Sequence, residues 1–154
     1  MTLQFDPASP GQITEWWARD WGGFVVTPER VYRPADVQAV ALLDGGQQVA
    51  FVSWADEPAG AEIVTLDAHV EGRGYGRAAL DHVEGHIREG GGTYARLFTT
   101  NDNVRAIGIY LRRGYRLVRL HLDSMDRVRE LKPGVPLEEH GLPLRDMWEF
   151  RKEL

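Results

Sequence analysis

The sequence predicts an α/β fold: a mixed, mostly antiparallel central sheet that contains one parallel strand pair and carries flanking helices. Three observations support this. Two apolar runs, residues 37–43 and 49–54, bracket Asp44-Gly45-Gly46, which is the turn chemistry of a tight hairpin. A third run, residues 61–68, passes through a glycine-rich turn into a helix-period segment and then into an apolar run at 94–100. A strand–helix–strand crossover of that kind makes its two strands parallel. No internal repeat, low-complexity tract or linker interrupts the 154 residues, so residues 1–154 read as a single domain.

Taken in order, Ser9 reads as an N-cap, with Pro10 in the first turn and Gln12 closing a capping box. Ile13, Trp17 and Trp21 follow at four-residue steps with Trp16 beside them, until Gly22-Gly23 stops the helix. The tryptophans are either an aromatic wall for a substrate or one helix face packed on a sheet. Phe24-Val25-Val26 reads as a strand, and residues 56–60 as a turn. Beyond the glycine turn, Ala79, Leu80, Val83 and Ile87 keep helical spacing, with Arg77, Asp81, Glu84, Arg88 and Glu89 on the outward side. Gly90-Gly91-Gly92 ends that helix. Asn101-Asp102-Asn103 caps another, reaching about residue 113 and closed by Gly114. A strand at 115–122 and a short helix at 125–131 come next. The proline-bearing tail from Lys132 ends in a last strand near 147–150.

Composition narrows the function classes. A net charge of −5 does not suit general affinity for nucleic acid and leaves room only for a local basic patch. With no cysteine, there is no disulfide framework, thiolate zinc site or cysteine nucleophile, which fits a reducing compartment. The first residues lack the pattern of a signal peptide, and no apolar run approaches the roughly 18 residues of a membrane span. The expectation is a cytoplasmic protein without membrane partners.

Two motifs carry chemistry. In Glu71-Gly72-Arg73-Gly74-Tyr75-Gly76-Arg77-Ala78, glycines at alternate positions let the backbone turn sharply and approach a ligand closely. Arg73 and Arg77 add positive charge, and the following helix offers its free N–H groups, so the stretch reads as a diphosphate cradle. Residues 74–79 also satisfy a dinucleotide fingerprint, with Asp102 further on. That fold, however, places its fingerprint after the first strand and continues with more crossovers, whereas hairpins precede the turn here. The second motif is Asn103-x-x-Ala106-x-x-x-Tyr110-x-x-x-Gly114-Tyr115. Its Asn103, Ala106 and Tyr110 share one helical face, and Val104, Ile107 and Leu111 form a neighbouring stripe read as core.

Both motifs, in this order and separation and behind antiparallel strands, resemble the GNAT superfamily of acetyl-CoA-dependent N-acetyltransferases over residues 24–122. Thr99-Thr100-Asn101-Asp102-Asn103 and the tail from Lys132 through Asp146 look like one bacterial subgroup, which extends the resemblance to nearly the whole chain. The resemblance implies acetyl-CoA as acetyl donor and a primary amine, on a small molecule or a protein, as acceptor. It places Leu66 and its neighbours on the pantetheine arm, Arg73, Gly74, Tyr75, Gly76 and Arg77 on the phosphates, and Asn103 and Ala106 on the cofactor side of the second helix. The family usually has Arg or Gln where this chain has Glu71, and a carboxylate cannot donate a hydrogen bond to phosphate.

The resemblance also implies diverging central strands with a free backbone N–H near Leu66 facing the thioester carbonyl. Tyr110 is the candidate acid, since an ordinary phenol, with a pKa of about 10, keeps its proton at neutral pH. Its other reading is a core tyrosine packed on the cofactor. Glu62 stands where many members place a general base; alternatively, it faces solvent at a strand edge. Asp67 and His69 are reserves. His82 and His86 lie four apart without a partner carboxylate, so no metal is expected. A non-catalytic acetyl-CoA-binding module is the competing function, and a homodimer is common among relatives.

Overall fold

The computed structural model describes residues 2–154. It opens with strand β1 (Leu3–Pro7) and helix α1 (Pro10–Asp20). Ser9 caps α1 as its sequence predicts: Ser9 Oγ accepts from the Gln12 amide at 3.2 Å, and Gln12 Oε1 accepts from the Ser9 amide at 2.7 Å. Short strands β2 (Val25–Val26) and β3 (Val31–Tyr32) form a small ribbon. The meander β4 (Gln38–Asp44), β5 (Gln47–Glu57) and β6 (Gly60–Ala68) follows, turning at Gly45-Gly46, both at positive φ.

Helix α2 (Tyr75–Glu89) then crosses over to β7 (Tyr94–Thr100), followed by α3 (Val104–Arg112), β8 (Arg116–His121) and α4 (Ser124–Leu131). The tail forms the ribbon β9 (Glu138–Glu139) and β10 (Leu142–Pro143), then β11 (Met147–Glu153).

Among the described residues seven strands make one sheet in the order β1-β4-β5-β6-β7-β11-β8, and its only parallel pair there is β6–β7. One face carries Val52, Ile63, Leu97 and Phe150 beneath Leu80, Val83 and Ile87 of α2 and Ile107 and Tyr110 of α3. The other carries Ala41, Phe51 and Val64 beneath Ile13, Trp16 and Trp17 of α1, together with Tyr32. A smaller cluster of Val26, Met125, Val128 and Met147 seats α4. The parallel pair starts where Gly60 meets Tyr94 so closely that a Cβ at Gly60 would lie 2.4 Å from the Tyr94 carbonyl oxygen.

Several expectations need correction. Strand β1 is absent from the sequence reading, because Leu3 and Phe5 alternating with Gln4 and Asp6 over five residues make only a faint pattern. The final strand was read, but not its position: β11 wedges between β7 and β8, antiparallel to both, a pairing no local pattern encodes. Glu84, read as outward, is buried, because Arg113 and Lys152 reach in from α3's C-cap and β11 to neutralise it. Of the predicted core stripe on α3, only Ile107 is buried. Val104 and Leu111 are exposed, since α3 turns Ile107 and Tyr110 toward the sheet.

Candidate active site

The site begins where β6 and β7 separate. Their pairing runs only from Gly60↔Tyr94 to Ile63↔Leu97, although β6 continues to Ala68 and β7 to Thr100. On its other edge, β6 pairs with β5 through a register slip: Ser53 opposes Thr65 and Trp54 opposes Ile63, leaving Val64 as an extra residue. Such a bulge bends the strand that carries it, and here it falls where the parallel pair ends. Beyond it, β6 has no partner on the β7 side, so a backbone edge faces the opening. A cavity of about 160 Å³ occupies the gap, with Glu62, Thr65, Leu66, Asn103 and Tyr110 on its wall.

Glu62 and Tyr110 reach this cavity from opposite layers, Tyr110 with the α2/α3 core and Glu62 beside Arg96 under the β2–β3 ribbon. Glu62 is 1% exposed. Its Oε1 accepts from the Tyr32 hydroxyl at 2.6 Å and lies 3.2 Å from Arg96 Nη2, while Oε2 is buried without a partner. Burial pushes its pKa up to about 7 against the opposing pull of Tyr32 and Arg96, with Glu57 and Glu29 pushing in the same direction as burial. Arg96 cannot neutralise Glu62 fully, because it also lies 2.7 Å from Glu29, 2.6 Å from Glu57 and 3.8 Å from Glu149.

Tyr110 is also buried, with Tyr115 and Phe150 ring centroids at 5.9 and 6.1 Å. Burial, then the charge of Asp67, lifts its pKa to about 12. Among the described residues its hydroxyl has no hydrogen-bond partner. The phenol therefore holds its proton and has a free donor on the cavity side.

The tryptophans divide between core and cavity. Trp16 and Trp17 are buried in the core under α1, whereas Trp21 lines the cavity. Asp67 Oδ2 accepts from Trp16 Nε1 at 2.7 Å and Trp21 Nε1 at 2.8 Å, which ties the end of α1 to β6. Occupied in this way, Asp67 serves structure. His69 is exposed and lines none of these cavities.

A second cleft, of about 590 Å³, opens at the start of α2. Gly72 and Gly74 adopt φ of +76° and +77°, a left-handed conformation costly for other residues. Gly74 is the N-cap of α2 and brings no capping side chain. The amides of Tyr75, Gly76 and Arg77 thus begin the helix without intrahelical partners, at the positive end of its dipole.

Gly74, Gly76 and Arg77 line the cleft. The Tyr75 side chain turns inward, its hydroxyl donating to Asp44 Oδ2 at 2.5 Å, so only its backbone is available. Arg73 is exposed and lies off the cleft wall. Asn103 caps α3, its Oδ1 accepting from the Ala106 amide at 3.4 Å, and Ala106 packs against the core.

The structure adds residues that sequence reasoning missed. Arg105, Arg112, Arg113 and Lys152 join Arg77 on the cleft wall. Arg105 and Arg112 are visible in the second motif; their convergence with Lys152 is not, because β11 is far away in sequence. Glu71 ion-pairs with Arg105 across the cleft mouth. Tyr32 and Arg96, which set the state of Glu62, were also missed, since neither belongs to a motif. Among the described residues no three His, Cys, Asp or Glu side chains gather as a metal site; His82 stacks on Phe5 and His86 packs against Trp54.

Splayed parallel strands, an uncapped glycine-led helix start and a cation-lined cleft define an acyl-CoA-binding architecture. The chain belongs to the GNAT acetyltransferase family, whose model matches residues 6–115. It is 32% identical over 145 residues to the uncharacterised protein YxbD of Bacillus subtilis, covering 92% of this chain and 91% of that one. Its fold superposes on an IAA acetyltransferase from Bacillus cereus with a TM-score of 0.80 at 17% identity, covering 99% and 100% of the two chains. A GNAT family acetyltransferase from Elizabethkingia anophelis with acetyl-CoA bound gives 0.74 at 12% identity, covering 99% and 98%.

Proposed function

We propose that the protein transfers the acetyl group of acetyl-CoA to a primary amine by direct attack on the thioester. The observation that carries this reading is the unpartnered Oε2 of buried Glu62 on the wall of the cavity that also receives Tyr110. Membership of the family and acetyl-CoA in a neighbour of the same fold support the donor. The α2 amides of Tyr75, Gly76 and Arg77 and the cations of the larger cleft fit a diphosphate. Leu66, on the stretch of β6 without a partner on its β7 side, fits the pantetheine arm.

In this mechanism Glu62, with a pKa near neutrality, takes a proton from the ammonium form of the acceptor. The neutral amine nitrogen attacks the carbonyl carbon, and a free N–H on the open edge of β6 receives the developing oxyanion. The C–S bond breaks as the carbonyl re-forms, the Tyr110 proton passes to the departing sulfur, and the second proton shed by the newly acylated nitrogen returns to the tyrosinate, leaving a neutral amide and a free thiol. Glu62 fits its role because it lines the cavity with one carboxylate oxygen left without a partner, and Tyr110 because it keeps its proton. Free-thiol release from acetyl-CoA across a panel of primary amines tests the whole scheme, and silence across the panel overturns it.

A second reading, a non-catalytic acetyl-CoA-binding module, draws on the Glu71–Arg105 pair, which places a carboxylate at the mouth of the phosphate cleft. Under that reading, calorimetry registers acetyl-CoA binding while no amine releases thiol.

A further inference from the structure

The cavity between β6 and β7, at about 160 Å³, is much the smaller of two adjoining spaces and suits an amine and the start of its stem. Next to it lies a trough of about 630 Å³. The two share Trp21, Val25, Val26, Thr100 and Met147 as wall residues, so the trough is the adjoining space for the rest of an acceptor whose amine sits in the cavity. Phe24, Met125, Val128, Leu131 and Val135 make the rest of the trough mostly apolar.

Two charged residues line it. Asp20 is ion-paired with Arg19 at 3.1 Å. Lys132 Nζ donates to the Trp21 carbonyl at 2.5 Å and to the Phe24 carbonyl, stands 4.6 Å from the Phe24 ring centroid, and has no carboxylate partner among the described residues. The trough therefore presents hydrocarbon and an uncompensated cation, and its one carboxylate is already engaged.

From this wall we infer that the acceptor is a monoamine with an aliphatic or aromatic tail, the amine at Glu62 and the tail in the trough, and that polyamines are rejected. The inference rests on the proposed acetyl transfer and names the acceptor class for that site. Each tail methylene moved from water onto Val128, Leu131 and Met125 favours binding about fourfold. A second ammonium placed there loses its hydration, meets Lys132 as a like charge and finds no free carboxylate.

The test is a series of ethylamine, butylamine, hexylamine and phenethylamine against 1,4-diaminobutane and spermidine, at saturating acetyl-CoA and read by thiol release. The expected result is a kcat/KM that climbs about fourfold per methylene, with 1,4-diaminobutane at least tenfold below butylamine. In Leu131→Asp, whose parent side chain is exposed on the trough rim, the hexylamine-to-ethylamine ratio of kcat/KM falls tenfold or more. A flat alkyl series, or a diamine outpacing the monoamine of equal length, overturns the inference while leaving acetyl transfer standing. Thiol release with no amine in the panel overturns both.

Discussion

Glu62 and Tyr110 behave differently under substitution because their surroundings differ. Glu62→Gln removes the group that titrates near pH 7, so kcat falls by about 100-fold and the rise of kcat/KM from pH 6 to 8 disappears, as a pH–rate profile would show. The same change has a stability signature with a definite sign. A carboxyl raised in the folded state stabilises below its unfolded pKa, and this contribution fades as pH climbs through about 7. Thermal melts should therefore find the Gln variant gaining on the parent between pH 5 and pH 8. Tyr110→Phe removes a hydroxyl without a hydrogen-bond partner among the described residues, so its Tm stays within a few degrees while turnover drops by about 100-fold. Turnover that matches the parent would reduce Tyr110 to a packing residue.

At the scale of elements, the start of α2 and the inner end of α3 work together. Gly72 and Gly74 supply left-handed turns, and the helix supplies amides; neither depends on the charge at position 71. Glu71 instead occupies Arg105, an exposed pair worth at most about 1 kcal/mol. Glu71→Gln should free that guanidinium for the coenzyme and tighten CoA by a few-fold in calorimetry, with little change in melting temperature. Weaker binding would show that Glu71 holds Arg105 in a useful place rather than withholding it. Two turns further along α2, Glu84 binds Lys152 at 2.7 Å, Arg113 at 3.2 Å and the Tyr115 hydroxyl at 3.0 Å.

That cluster matters for the whole molecule, because it joins α2 to α3's end and to β11. Burial opposes ionisation of Glu84, yet Lys152, Arg113 and Tyr115 outweigh it and hold its pKa below the ordinary value. Its contribution is thus present above the unfolded carboxyl pKa and lost as pH falls through the lower folded value. Glu84→Ala should cost about 3 kcal/mol in denaturant melts at pH 7, since it strands two half-buried cations. The loss should shrink in acid, where the parent carboxyl also protonates. A loss below about 1 kcal/mol would mean that Arg113 and Lys152 find other partners.

The hairpin turn at Gly45-Gly46, the capping box at Ser9, the crossover around the glycine turn and the Asn103-to-Tyr115 motif were legible in the sequence because each is written in neighbouring residues. Local backbone preference and helical period suffice to encode them; the roles expected of Glu62 and Tyr110 came instead from the resemblance of these motifs to a known family. The state of those two groups was not legible. Whether Glu62 faced solvent or the interior depended on Tyr32 and Arg96, one on a two-residue ribbon and one on the next strand. The burial of Glu84, the place of β11 between β7 and β8 and the gathering of cations at the cleft likewise join segments that are distant in the chain. Ionisation and burial are set by whatever packs against a group, and only the tertiary arrangement decides which groups those are.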